Sequence, residues 1–199
     1  MKLGAIILAA GLSSRMGSFK PLLEVDGETL LLNEISLLLS CGVERVVVVT
    51  GNRHEDVCGC LSGLPQYGSQ VAVAFNPDFQ TGMFSSVLTG VKALGDSVEA
   101  FFLLPSDCPG VSRSTLLQLS ASLAADSCSV AYPVFHGRRG HPPLISAKVI
   151  PDLLEWHGEG GLKQFLRSCE GCDVAVDDGN VLNDLDTPSD LMRYIGSSH

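Results

Sequence analysis

Positive charge is what this chain has least of: 13 Lys and Arg stand against 22 Asp and Glu, giving a formal net charge of −9 over 199 residues. Nucleic acid and anionic membrane would both repel such a surface, so neither is expected as a bulk partner, although local basic residues can still bind a small anion. Long hydrophobic runs are also missing, and the longest apolar stretches are too short to span a bilayer. No leading segment joins a basic start, an apolar stretch and a cleavage site, because the apolar residues from Leu3 to Leu12 lead directly into a glycine loop. A soluble, cytoplasmic protein is the expectation. Neither a repeat nor a low-complexity linker divides the chain, and its length suits one domain over residues 1–199. A hydrophobic content of 45% with positive mean hydropathy excludes a disordered tail.

Seven cysteines is an odd number. In a chain with a self-sufficient core, reduced thiols in the cytosol are the default. Cys58-Gly59-Cys60 and Cys169-Glu170-Gly171-Cys172 could in principle supply four thiolates to zinc, but C-x-C is not the usual finger spacing. Cys41, Cys108 and Cys128 read as small core or turn residues.

What is present is alternation. Short Val/Ile/Leu-rich runs predict strands at Ala5–Leu8, Arg45–Thr50, Val71–Phe75, Ala100–Leu104, Cys128–Pro133, Pro143–Ile145 and Asp173–Val176. Amphipathic stretches between them predict helices at Thr29–Ser40, Glu55–Leu61, Met83–Leu94, Ser114–Ala124, Ala147–Trp156, Leu162–Ser168 and Pro188–Ile195, with Pro151 interrupting the fifth or starting it afresh. Such alternation predicts a three-layer α/β/α Rossmann-like fold with a mostly parallel sheet, whose ligands collect beyond the carboxyl ends of the strands.

The first strand runs into Leu8-Ala9-Ala10-Gly11-Leu12-Ser13-Ser14-Arg15-Met16-Gly17-Ser18-Phe19-Lys20. Gly11 and Gly17 let backbone N–H groups approach an anion, and Arg15 and Lys20 supply charge. The spacing fits neither G-x-x-x-x-G-K-[ST] nor G-x-G-x-x-G. Residue by residue, a solvated Gly/Ser turn explains it as well.

Four further loops carry polar groups. After Phe101-Phe102-Leu103-Leu104 come Pro105-Ser106-Asp107-Cys108-Pro109, where Asp107 suits Mg²⁺ or, equally on local grounds, a turn or helix cap. Asn183-Asp184-Leu185-Asp186-Thr187-Pro188-Ser189-Asp190 reads first as a capped helix start. Asn76 to Val87 holds Gly82 and Ser86 ahead of a helix, and His136-Gly137-Arg138-Arg139-Gly140-His141-Pro142-Pro143 suggests a basic hairpin able to clasp an anion.

Together these strings resemble the MobA-like nucleotidyltransferases, the group containing the molybdenum cofactor cytidylyltransferases. The glycine loop matches L-A-A-G-x-S-x-R-M-G-x-x-K, and N-P-x-x-x-x-G-M-x-x-S, D-x-P, G-x-x-G-H-P-x-L and D-x-D-T-P-x-D-L follow in the family's order from Leu8 to Leu191. The resemblance implies transfer of CMP from CTP to the phosphate of a molybdopterin-type molybdenum cofactor, with a molybdenum hydroxylase receiving the product. It implies nucleotide contacts at Leu8, Ala9, Ala10, Gly11, Ser13, Ser14, Arg15, Lys20 and Ser106. Arg15, Lys20 and Asp107 would be catalytic, Asp107 and Asp184 would hold Mg²⁺, and Gly82, Ser86, Arg138, Arg139, Gly140, His141 and Pro142 would face the acceptor. Ala9-Ala10-Gly11, where guanylyl members typically have A-G-G, points to a pyrimidine. Rival readings are a cytidylyl- or uridylyltransferase for a sugar or polyol phosphate, and a non-catalytic carrier of the molybdenum cofactor.

Overall fold

The computed structural model describes residues 1–12, 18–125, 128–157 and 159–197. β1 (Leu3–Ala9), buried at every position, leads past a small hairpin of β2 (Glu24–Val25) and β3 (Glu28–Thr29) into α1 (Leu30–Ser40), whose first turn is capped by Thr29. Next come β4 (Val43–Thr50), α2 (His54–Leu61), β5 (Val71–Phe75), α3 (Met83–Leu94), β6 (Ala100–Pro105) and α4 (Arg113–Ala125). The remainder holds β7 (Val130–Phe135), β8 (Arg138–Arg139), β9 (Leu144–Ser146), α5 (Ile150–Leu154), α6 (Gly161–Ser168), β10 (Gly171–Ala175) and α7 (Pro188–Ser197).

The strands lie in the order β10-β7-β9-β6-β1-β4-β5, with β8 paired to β7. β1 is parallel to β4 and to β6, β4 to β5, and β7 to β10. This is the expected mostly parallel sheet. Both its faces are covered, which is why its central strands read as unbroken apolar runs. Odd-numbered side chains of β1, Ala5 and Ile7, pack with Leu31, Ile35 and Leu38 of α1, Val57 and Leu61 of α2, and Leu116 and Leu119 of α4. Even-numbered ones, Ile6 and Leu8, pack on the other face with Val87, Val91 and Leu94 of α3, Leu153 of α5 and Phe165 of α6. α3 crosses the sheet closely enough that a Cβ on Gly90 would stand 2.5 Å from Ile6 Cγ2 and 2.9 Å from Val49 Cγ2.

The structure also refines and in places departs from the sequence reading. β9 runs antiparallel to both β6 and β7, because the chain doubles back through the turn at His136 and Gly137, both at positive φ. β7 runs on to Phe135, and Pro133, which cannot donate to a ladder, marks where its pairing changes from β9 to β8. The helix expected at Ala147–Trp156 starts afresh beside Pro151, as the sequence allows: a 3₁₀ turn, Ala147–Val149, precedes the short α5, which has Pro151 in its first turn and ends at Leu154. Cys128 and Cys172 pair as a disulfide, their Cα atoms brought to 5.9 Å beside the pairing of β10 with β7, which corrects the expectation of reduced thiols for these two, while Cys41, Cys58, Cys60, Cys108 and Cys169 are free. That bond takes Cys172 out of any four-thiolate set, and Cys58 and Cys60 lie on α2 beside the opposite half of the sheet.

Candidate active site

β1, β4, β5, β6, β7 and β10 all point the same way, so the loops that follow them emerge at one sheet edge. The chain builds outward from β1 to β4 and β5, then returns to place β6 on the other side of β1. A crevice opens at such a reversal. Gly11 and Lys20, on the described parts of the glycine loop, the segment after Asn76, Ser106-Asp107, the basic hairpin and the acidic segment near 184 all belong to this edge.

Lys20 starts a 3₁₀ turn with Pro21 and is only 7% exposed. Its Nζ lies 2.9 Å from Asp186 Oδ1 and 3.3 Å from Asp107 Oδ2. Burying an ammonium is costly unless it is paired, and two carboxylates provide the pairing. Asp107 does not cap the following helix. Ser112 takes that part through Thr115, and buried Asp178 accepts from the Ser112 N–H and the Thr115 hydroxyl, each at 2.7 Å. Asp107 is instead tied to the terminal segment, its carbonyl accepting from the Leu185 N–H at 2.8 Å. Beside it, the Cys108 thiol points at Asp184 Oδ1, 3.2 Å away, and at Asp107 Oδ1, 3.7 Å away. Burial, then the Asp107 charge, pushes this thiol up.

Below the cluster, Glu34 of α1 is 5% exposed, and neither carboxyl oxygen has a hydrogen-bond partner among the described residues. Burial first and the Asp107 charge second raise it to about 8. The donors Asp107, Cys108 and Asp184 lie within 4.8 Å of one another. Two carboxylates at that spacing fit a divalent cation. Asp186 is held to Lys20, while Thr187 and Asp190 form a reciprocal cap at the start of α7, as the local sequence predicts.

Two joined clefts lie above this cluster. The smaller, about 260 Å³, is lined by Leu8, Ala10, Gly11, Lys20, Ser86, Ser106 and Asp107 of the expected residues, with Pro21, Phe79, Met83 and Pro105 added. Ala9 instead packs into the core beneath. Ser86 is fixed by buried Asn76, whose Nδ2 donates to it at 3.0 Å. The larger cleft, about 620 Å³, shares Leu8, Met83 and Pro105 with the first and continues over Leu103, Tyr132, Leu162 and Leu166 to Arg139, Gly140 and His141. Arg139 lies over the Tyr132 ring at 4.2 Å and pairs with Asp173 at 2.6 Å. Burial lowers His141 against the opposing pull of Asp184 and Asp107, which favours its neutral form.

Not every expected residue joins these clefts. Gly82 precedes α3 with φ of 123°, Arg138 is exposed on β8, and Pro142, after a cis peptide bond, is buried; none of the three lines either cleft. Asp184 borders a neighbouring groove with Asp186, Asp190 and Tyr194. Ser13, Ser14 and Arg15 lie outside the described residues. Sequence reasoning missed Lys163 and Arg167, which add cations to the rim of the larger cleft. Their i, i+4 spacing on α6 was the available signal.

Among known proteins, the family described as MobA-like NTP transferase domain matches residues 5–174. The chain is 29% identical over 189 residues to the molybdenum cofactor cytidylyltransferase of Escherichia coli (strain K12), covering 94% of this chain and 92% of that protein. It is 30% identical over 199 residues to nicotine blue oxidoreductase of Paenarthrobacter nicotinovorans, covering 96% and 95%. A nucleotidyl transferase from Methanothermobacter thermautotroptrophicus superposes with a TM-score of 0.80 at 26% identity, over 100% of this chain and 99% of that one.

Proposed function

Because this chain belongs to the MobA-like NTP transferase family, we propose that its nucleotidyl transfer carries CMP from CTP to the phosphate of a molybdopterin-type molybdenum cofactor, with pyrophosphate leaving. Relatives of nearly equal identity bear names of different activities, so the acceptor assignment rests on the clefts. The observation that carries it is Lys20, paired with Asp107, at the floor of a small cleft that opens into a larger one with apolar walls and a cationic rim. A nucleotide and a second, partly flat anion can meet there.

In this reading the triphosphate occupies the smaller cleft, with Arg15 on its outer phosphates and Lys20 on the α-phosphate. An oxygen of the acceptor phosphate attacks the α-phosphorus in line as the bond to the bridging oxygen of pyrophosphate breaks. That phosphate is already ionised near neutrality, so no side chain need remove a proton, and catalysis rests on positioning and charge neutralisation. Asp107 and Asp184 would hold Mg²⁺, which when bound neutralises phosphate charge. Arg139, with Lys163 and Arg167, would take the acceptor's anionic groups, and the apolar walls its ring system. Ala10 lines the nucleotide cleft, where its methyl would favour a pyrimidine over a purine. A molybdenum hydroxylase would receive the product.

The test is pyrophosphate release with CTP, GTP, UTP or ATP, with and without molybdenum-loaded molybdopterin. Release with CTP only when that acceptor is present supports the reading. Release with a sugar or polyol phosphate instead moves the protein to the related cytidylyl- or uridylyltransferases, and cofactor binding without release makes it a carrier.

A further inference from the structure

Nucleotidyl transfer needs no disulfide, yet Cys128 and Cys172 are bonded beside the outermost strand pair while the other five cysteines stay free. We propose that this disulfide is a thiol-exchange site, opened at Cys128 by a low-molecular-weight thiol, and that its state sets how well ordered the walls of the larger cleft are. In taking that cleft as the acceptor's, the inference rests on the functional reading above, and it goes beyond that reading in assigning a control to it.

The bond closes a loop from residue 128 to residue 172. Every residue lining the larger cleft lies within that loop except Leu8, Met83, Leu103 and Pro105, and no residue lining the smaller cleft does. At the loop's end, β10 is an edge strand held to β7 alone, with Cys172 opposite Ala131 and Asp173 opposite Tyr132. Asp173 accepts from the Arg139 guanidinium at 2.6 Å and so keeps it over the Tyr132 ring. Both members of that ion pair are about half exposed, and such a pair is worth little unless its backbone is held in place. The cross-link one residue away does the holding. Cys128 itself is half-buried and lines a cavity of about 350 Å³ with Glu99, Leu123, Ser129, Ser146 and Lys148. This cavity lies where β7 begins, at the opposite edge of the sheet from the clefts, so a thiol can enter while both clefts are filled. Disulfides exposed in this way are the labile ones. The attacking thiolate forms a bond to Cys128 Sγ as the bond to Cys172 breaks. Cys172 leaves as a thiolate, which the Ser122 hydroxyl, 3.7 Å away, can stabilise until it takes a proton from solvent. A second thiol then attacks the sulfur of the first, freeing Cys128 and leaving the two thiols joined as a disulfide, so that two electrons pass from them to the protein.

Reduced glutathione added to the full chain without denaturant tests this. Peptide mapping of protein prepared without reductant should find Cys128 joined to Cys172. After glutathione it should find both cysteines free, with glutathione passing through Cys128. Hydrogen exchange should then quicken at least about tenfold at the amides of 138–141 and 171–175, part of what loss of a native cross-link costs, and stay unchanged at 8–11 and 105–107. The Cys128→Ser/Cys172→Ser double variant should show the quickened pattern and no response to glutathione. Cysteines unlinked at the outset, a bond that opens only in urea, or exchange that reduction leaves unchanged would each overturn the proposal. None of these readouts involves an acceptor, so they stand or fall apart from the functional reading. Where that reading holds, reduction should raise the KM for the acceptor several-fold and leave that for the nucleotide as it was, and an equal rise in both overturns the control assigned to the larger cleft.

Discussion

At position 20 a lysine almost sealed from water has its ammonium between two carboxylates, at the floor of the smaller cleft. Lys20→Ala and Asp107→Ala should each lower the rate of pyrophosphate release by about a hundredfold or more, as loss of a preorganised charge does, while circular dichroism stays native. Glu34 makes the opposite kind of statement. Its native value of about 8 lies above the ordinary 4.5. Below 4.5 the carboxyl is protonated in both folded and unfolded chains. Between the two values the unfolded chain gives up a proton that the native one keeps, so stability falls as pH rises and levels off above about 8. The slope from this group reaches about 1.4 kcal/mol per pH unit. Glu34→Gln should remove it, and urea unfolding at several pH values should show the variant overtaking wild type toward pH 8.

At the scale of elements, the close approach of α3 to β1 and β4 depends on Gly90. Gly90→Ala gains about 1 kcal/mol of helix propensity but overpacks central strands at a cost of about 1–3 kcal/mol. A lower urea midpoint is the expected result. On α6, replacing Lys163 and Arg167 together by Ala should raise the KM for the acceptor several-fold and leave that for the nucleotide unchanged, because both side chains border only the larger cleft. How much of this could be read beforehand depended on the element. α3 was legible to the residue, since its apolar stripe lies between Gly82 and Gly95. The direction of β9 was not, because period-2 patterning is the same whichever way a strand runs. Glu34 left a signal that is easy to pass over: positions 30, 31, 34, 35 and 38 form one buried helical stripe, and a carboxylate in it is a buried acid in advance. Lys20, which closes its string, and Asp107 and Asp184, which open theirs, were legible as candidates, whereas Cys108 occupies the unspecified position of D-x-P and gained meaning only when Asp184 was found opposite it.

Across the whole molecule, backbone hydrogen bonds join the two sides of the site. The His141 N–H donates to the Val181 carbonyl at 2.8 Å, and Gly140 passes so close to that carbonyl that a Cβ there would collide with it. Three residues further on comes Asp184, and Leu185 is bonded in turn to Asp107. A molecule that pushes against the hairpin at Arg139–His141 therefore leans on the segment bearing the acids. Two coupled binding equilibria must influence each other equally in both directions. Filling the larger cleft should change the affinity for the divalent ion by some factor, and adding the ion should change the affinity for the acceptor by the same factor. Calorimetric titrations run in both orders should agree on it, and in Gly140→Ala, where the link is forced apart, the factor should fall toward one.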